Sequence, residues 1–169
     1  MFGKVKSLRE LFEIELYYAY DCEQKLVEKG LPAMIEAASS PQLKTALNQH
    51  LEETRNQVRR LQQVFGSIGV EPETKDNDVL DELMNAAEDS VSNIDKSPLL
   101  DAALIVNGNM VEHYEIATYG TLAAFAKNLG LQKVVSLLEQ TLEEEKKADA
   151  KLTQLGETMN QQAAKRQTA

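Results

Sequence analysis

Val111-Glu112-His113-Tyr114-Glu115-Ile116 sets two carboxylates and an imidazole into a segment otherwise built from Ala, Leu, Ile, Val, Phe and Tyr. Burying an unpaired carboxylate is costly enough that such a group protonates, pairs or binds a cation. The segment therefore predicts an internal polar network or a metal site. Its apolar residues fall on nearly every side, which predicts a helix from Leu99 to about Asn128 that is buried over most of its surface.

Working outward, Ser97-Pro98 opens that helix, and Gly130 separates it from another with core residues Val134, Leu137, Leu138, Leu142, Ala148, Leu152 and Leu155. This last helix is expected to fray into a polar stretch from Asn160. Upstream, Ser7 can cap a first helix whose apolar residues Leu8, Leu11, Phe12, Leu16, Ala19, Cys22 and Leu26 recur at three- and four-residue steps. Gly30 and Pro32 predict a kink in it, not a stop, because the apolar pattern resumes at Met34, Ile35, Ala37 and Ala38. Ser40-Pro41 starts a second helix with Leu43, Leu47, Leu51, Val58, Leu61, Val64 and Phe65 on its core face, ending near Gly66 to Gly69. Residues 70–97 are polar and acidic and read as a long crossover, with a weakly apolar island at Val79, Leu80, Leu83, Met84 and Ala87 suited to a short helix.

Four long helices with one long crossover between the second and third is the connectivity of ferritin-like four-helix bundles. An all-α domain over residues 1–160 is expected, followed by a polar tail, 161–169. Leu43 through Leu51-Glu52-Glu53 echoes Val134 through Leu142-Glu143-Glu144, as if the chain were two copies of one helical hairpin. A metal between the copies would draw ligands from both.

Composition agrees with a helical domain and excludes several partners. The chain has 169 residues, 43% hydrophobic and 27% charged, with no Trp and 4 Pro. Its net charge of −9 disfavours nucleic acid and anionic lipid, and Lys165-Arg166 is too small a basic patch to reverse that. One cysteine, Cys22, precludes an intrachain disulfide and a thiolate cluster. No leader-like segment and no run near the ~18 apolar residues of a membrane span is present, so a cytoplasmic protein is expected.

Helical geometry places carboxylates from all four long helices near one interior level. His50 lies on the central line of the second helix's core face, with Glu53 at its edge. Glu23 adjoins the core face of the first helix, and Glu15 lies nearer its centre. The third helix contributes Glu112 and Glu115, one turn apart, with His113 on the opposite side. The fourth contributes Glu145 and Asp149, although a small rotation of the helix would exchange Glu145 with Glu144. Oxygen ligands with one imidazole suit iron or manganese. The usual di-iron pattern has Glu-x-x-His on two helices. Here His50-x-x-Glu53 runs in reverse, and the expected histidine positions hold Asn56 and Lys147.

The runs His50-Leu51-Glu52-Glu53-Thr54, Asp101-Ala102-Ala103-Leu104-Ile105, Val111 to Ala117 with Tyr119-Gly120-Thr121-Leu122-Ala123, and Thr141 to Lys146 followed by Asp149 resemble the YciF-type family of bacterial stress-response proteins. The resemblance covers nearly the whole chain and implies a ferritin-like fold and a homodimer.

Two functions follow as alternatives. The first is a non-haem di-metal carboxylate site with Glu23, His50, Glu53, Glu112, Glu115, Glu145 and Asp149 as ligands, able to handle dioxygen or peroxide, with Tyr18, Tyr20 or Tyr114 as redox neighbours. The second is a metal-free dimer whose internal charges pair with His113, His50, Lys25 or Arg55 and which associates with itself or with other stress proteins. In either case Leu104, Val111, Ile116 and Leu122 are the expected face for a second subunit.

Overall fold

Four helical segments open on a side chain that caps them. Ser7 Oγ accepts from Glu10 N at 3.1 Å, Ser40 Oγ from Leu43 N at 3.3 Å, Asn77 Oδ1 from Leu80 N at 3.1 Å and Ser97 Oγ from Leu100 N at 3.4 Å. The structure is a computed structural model that describes residues 4–165. The first three residues and the tail from Arg166 onward, both read above, lie outside the described residues.

All regular elements among the described residues are helical: α1 (Leu8–Lys25), a π turn (Leu26–Gly30), α2 (Leu31–Ala37), α3 (Pro41–Ile68), α4 (Asp78–Asn93), α5 (Pro98–Asn128) and α6 (Gln132–Lys165). The kink expected at Gly30 and Pro32 takes the form of the π turn, closed by Leu31 N–H on Leu26 O. Pro32 sits in the first turn of α2, where its missing donor costs little. Gly69 and Gly130 end α3 and the α5 turn with φ of 71° and 74°, a left-handed conformation that other residues adopt at a cost.

α5 and α6 pack along their length, α3 lies against α6 and α1, and α1 against α5, while α4 lies along α5. Their apolar residues form two clusters. One holds Phe12, Leu16, Leu61, Phe65, Tyr119, Leu122 and Leu138. The other holds Leu26, Leu43, Leu47, Leu80, Leu104 and Leu152. On each long segment buried polar residues lie between the two: Glu23 on α1, His50 to Arg60 on α3, Glu112 and Glu115 on α5, Thr141 and Glu145 on α6, with Asp101 and Asn107 nearer the start of α5. The interior is thus apolar, polar, apolar along the helix axes.

Buried polar contacts fix the ends. Asp101 on α5 accepts from Ser39 N at 2.6 Å, Ser39 Oγ at 2.5 Å and Ser40 N at 2.9 Å, tying the α2–α3 corner down. Asn77 joins the crossover to the core, donating to Tyr114 Oη at 2.7 Å and to Tyr18 O at 3.1 Å. Lys25 bridges Asp21 at 2.8 Å and Asp81 at 2.6 Å, fastening α4 to α1.

Three expectations change. The island in the crossover is a full helix of 16 residues, α4, of which Leu80 is the buried residue. α6 continues past Asn160 to Lys165 instead of fraying. The outer side of α5 is exposed, with Leu99 at 50%, Val106 at 57% and Met110 at 51%. The face expected to meet a second subunit instead points inward: Leu104 and Leu122 are fully buried, and Val111 and Ile116 are half-buried. α5 reads as apolar all round because it combines a core face with an exposed apolar face.

No helix among the described residues is long and apolar enough to cross a membrane.

Candidate metal centre

α3, α5 and α6 bring His50, Glu112, Glu115 and Glu145 together, each buried, with one ligand atom apiece all within 4.8 Å of one another. His50 Nε2 stands 3.2 Å from Glu112 Oε1. Glu23, fully buried on α1, adjoins this group: its carboxylate acts electrostatically on His50, Glu112, Glu115 and Glu145. Tyr119 donates a short hydrogen bond to Glu23 Oε1, and Cys22 Sγ approaches Glu115 Oε1 at 3.6 Å.

Most of the polar atoms here have nothing to bind. Glu23 Oε2, Glu112 Oε2, Glu115 Oε2, both oxygens of Glu145 and both ring nitrogens of His50 are buried without an aligned hydrogen-bond partner. Native interiors rarely leave so many polar atoms unsatisfied in one place. Four interior carboxylates and one imidazole form a set of hard donors that fits a divalent cation, so this cluster could hold a metal ion.

The electrostatics agree. Burial pushes Glu23 up to about 7, against the hydrogen bond from Tyr119. Burial, then the neighbouring carboxylates, hold Glu115 and Glu145 well above the ordinary carboxylate value. Burial also raises Glu112, with His50 opposing it. Burial alone would lower His50, but Glu112, Glu53 and Glu23 outweigh it and hold the imidazole above its usual value. Without a cation, the site holds its charge down by keeping protons.

Three of the seven expected ligands lie outside the tight group of four: Glu23 adjoins it, and Glu53 and Asp149 flank it. Glu53 is half-buried at its edge, with Oε2 3.8 Å from His50 Nδ1 and Oε1 accepting from Gln49 at 2.9 Å. The contact with His50 keeps its carboxyl below the ordinary range. Asp149 sits 3.4 Å from His113, whose side chain is 70% exposed, in line with the expectation that His113 points away. Between Glu144 and Glu145 the structure chooses Glu145. Glu144 instead accepts from Arg60 through both oxygens, at 2.8 and 2.9 Å.

Arg60 was not foreseen. It is buried, donates also to Thr141 Oγ1 at 2.6 Å, and shares Glu144 with Gln57, whose Nε2 donates to it at 3.2 Å. Of the groups proposed for internal pairing, His50 stands against Glu112 and His113 against Asp149, whereas Lys25 serves α4 and Arg55 pairs with Glu52 on the surface. Nor are the three suggested tyrosines neighbours of the cluster. Tyr20 accepts from Gln62 at 2.9 Å, Tyr114 bonds Asn77, and Tyr18 offers Asn77 its backbone carbonyl; Tyr119 holds that place. Its position, seven residues past Glu112 on the same face, was the available signal.

A cleft of about 330 Å³ between α3 and α6 reaches His50 and Glu112 from outside, with Glu53, Lys147 and Lys151 along it and Leu47 and Leu152 in its walls.

Fold and site together define an all-helical protein with a buried carboxylate–imidazole cluster reached through a side cleft. The chain belongs to the YciF-type family: residues 7–165 match the family described as a domain of unknown function, DUF892. It is 38% identical over 152 residues to Protein YciF of Escherichia coli (strain K12), covering 89% of this chain and 91% of that one. The crystal structure of the E. coli stress protein YciF superposes with a TM-score of 0.89 at 37% identity, over 93% of this chain and 99% of that one. YcfI from Rhodopseudomonas palustris gives 0.87 at 40% identity, over 90% and 98%. A protein from Xanthomonas campestris pv. campestris shares the fold at a TM-score of 0.77 and 24% identity, over 96% and 100%.

Proposed function

We propose that the cluster is a non-haem di-metal centre for iron or manganese inside a ferritin-like four-helix bundle, with α4 carried on the crossover. Glu23, His50, Glu112, Glu115 and Glu145 hold the metal, with Glu53 and Asp149 flanking it. The observation that carries the reading is the convergence of seven unpartnered buried polar atoms from α1, α3, α5 and α6. Charge supports two ions: Arg60 is already matched by Glu144, leaving the four carboxylates Glu23, Glu112, Glu115 and Glu145 to balance two divalent cations. Such a centre, when loaded, supplies redox chemistry toward dioxygen or peroxide. The protein's own part is to hold the carboxylates apart in an apolar surround, to fix Glu23 through Tyr119, and to admit small molecules through the cleft. Relation to the E. coli stress protein YciF supports a role in stress responses.

A homodimer belongs to the same proposal. Leu99, Val106 and Met110, at seven- and four-residue steps on the outer side of α5, are the apolar surface available to it.

A second reading has its own support. The contacts of buried Arg60 with Glu144 and Thr141 supply a metal-free way to pair charge in the interior, and a structural role has been suggested for YcfI of R. palustris. In that reading the protein is a metal-free dimer, with other stress proteins as partners. Elemental mass spectrometry separates the two, on protein purified without tag or chelator and again after anaerobic Fe(II) or Mn(II) loading. About two ions per chain are expected. No binding at excess metal leaves the second reading standing.

A further inference from the structure

The cleft that ends on His50 and Glu112 carries a charge pattern that metal binding does not account for. Its floor is built from buried groups: His50 is 7% exposed with neither ring nitrogen partnered, and Glu112 is 3% exposed with Oε2 unpartnered. Its rim carries Lys147 and Lys151, one helical turn apart on α6 and both exposed. Among the described residues neither lysine has a carboxylate within the ion-pair distances seen for Lys25, Lys29 and Lys146. Glu53, in the same cleft lining, accepts from Gln49 and lies 3.8 Å from His50. In a chain of net charge −9, these two ammonium groups stand together at the mouth of a cleft whose lining also holds Glu53 and Glu112, Lys147 acting electrostatically on Glu53 and on Glu143.

Between rim and floor, Leu47 and Leu152 make the wall apolar, and about 330 Å³ lies at the small end of ligand pockets. We propose that the cleft binds a small organic monocarboxylate. Its carboxylate lies on Lys147 and Lys151, and its apolar body between Leu47 and Leu152, with the far end at His50 and Glu112. That the bound molecule is a substrate rests on the metal reading; that it binds does not.

The test uses benzoate, with benzylamine and benzyl alcohol as cationic and neutral counterparts of similar size. Each is titrated calorimetrically into the full chain, metal-free and after Mn(II) loading. The Lys147→Gln/Lys151→Gln double variant is run alongside, with its helicity and metal content measured; both side chains are exposed, so the fold is kept. Saturable benzoate binding is expected, tighter than that of benzylamine by at least about tenfold and weakened about tenfold in the double variant at unchanged metal content. Equal affinity for benzylamine, undiminished binding in the double variant, or no saturable benzoate binding in either form at ~10 mM would overturn the proposal. Lysine-dependent benzoate binding in a protein that takes up no metal would uphold the cleft and remove the metal centre.

Discussion

His50 on α3 and Glu112 on α5 face each other across the interior, Nε2 to Oε1 at 3.2 Å, and Glu112 Oε2 and His50 Nδ1 both lack a hydrogen-bond partner. Neither ring nitrogen of His50 is in an aligned hydrogen bond, so the pair leaves bonding capacity unmet on both groups. Replacing Glu112 by Gln keeps the shape and removes a buried charge. In metal-free protein this should be neutral or stabilising by about 1–2 kcal/mol. Metal affinity should fall at least tenfold, and thermal denaturation with and without Mn(II) reads both effects. Unchanged metal-dependent stabilisation would remove Glu112 from the ligand set.

Burial ranks the carboxylates. Glu115 and Glu145 are 2% and 0% exposed, whereas the side chains of Glu53 and Asp149 are 34% and 23% exposed. Ala at Glu115 or Glu145 is expected to abolish stoichiometric metal retention after desalting, while Ala at Glu53 or Asp149 costs less than about tenfold in affinity. The opposite ranking would place the metal in the cleft instead of the interior.

pH dependence follows from proton counting. Glu23 is raised to about 7, and Glu112, Glu115, Glu145 and His50 are raised as well, so the native metal-free state binds more protons than the unfolded chain. Stability then falls as pH rises from the ordinary carboxylate range through neutrality. The lowered Glu53 acts only at the acid end. Metal-free protein should lose several degrees of Tm between about pH 5 and 8, at roughly 2–4 °C per kcal/mol for a chain this size. Saturating Mn(II) should reverse the slope, because bound cations replace the protons. A flat metal-free profile in scanning fluorimetry would refute the charge assignment.

Arg60 is the interior's own cation. Arg60→Ala leaves Thr141 Oγ1 without this donor and Glu144 without its cation, with Gln57 and Gln140 as its remaining donors, and since Glu144 is 22% exposed the cost should be about 2–4 kcal/mol. Replacing both partners, Arg60→Met with Glu144→Leu, should recover most of it. Chemical denaturation of the two variants and the wild type measures the coupling. If the double variant is as unstable as Arg60→Ala, the pair does more than satisfy itself.

Where local chemistry decides, the chain was readable. Ser7, Ser40-Pro41 and Ser97-Pro98 start helices where their capping chemistry says they should, and Gly69 and Gly130 end or separate them. His50, Glu112 and Glu115 were legible because a charged residue on an apolar face is conspicuous. Three things were not. The choice between Glu144 and Glu145 turns on helix rotation, which is set by packing against α3 and α5 and not by residue spacing. Arg60 hides in Arg59-Arg60, where one arginine faces out and the other in, and only the interior's excess of negative charge hinted at a buried cation. The apolar island of α4 was visible, but its full 16 residues were not, since ion pairs of Lys25 with Asp81 and Lys29 with Glu88, set by the tertiary fold, help to hold it.

The polar layer between the two apolar clusters also sets where the molecule yields. Helices ordinarily loosen at their tips, yet here the tips of α3, α5 and α6 are clamped by leucine and phenylalanine packing, and the mid-lengths carry buried polar atoms without hydrogen-bond partners. Before cations arrive, amide hydrogens around His50 to Gln57, Glu112 to Glu115 and Thr141 to Glu145 should therefore exchange faster than those toward either end. Metal loading would then act as a brace across the molecule's waist, turning its softest cross-section into its most protected.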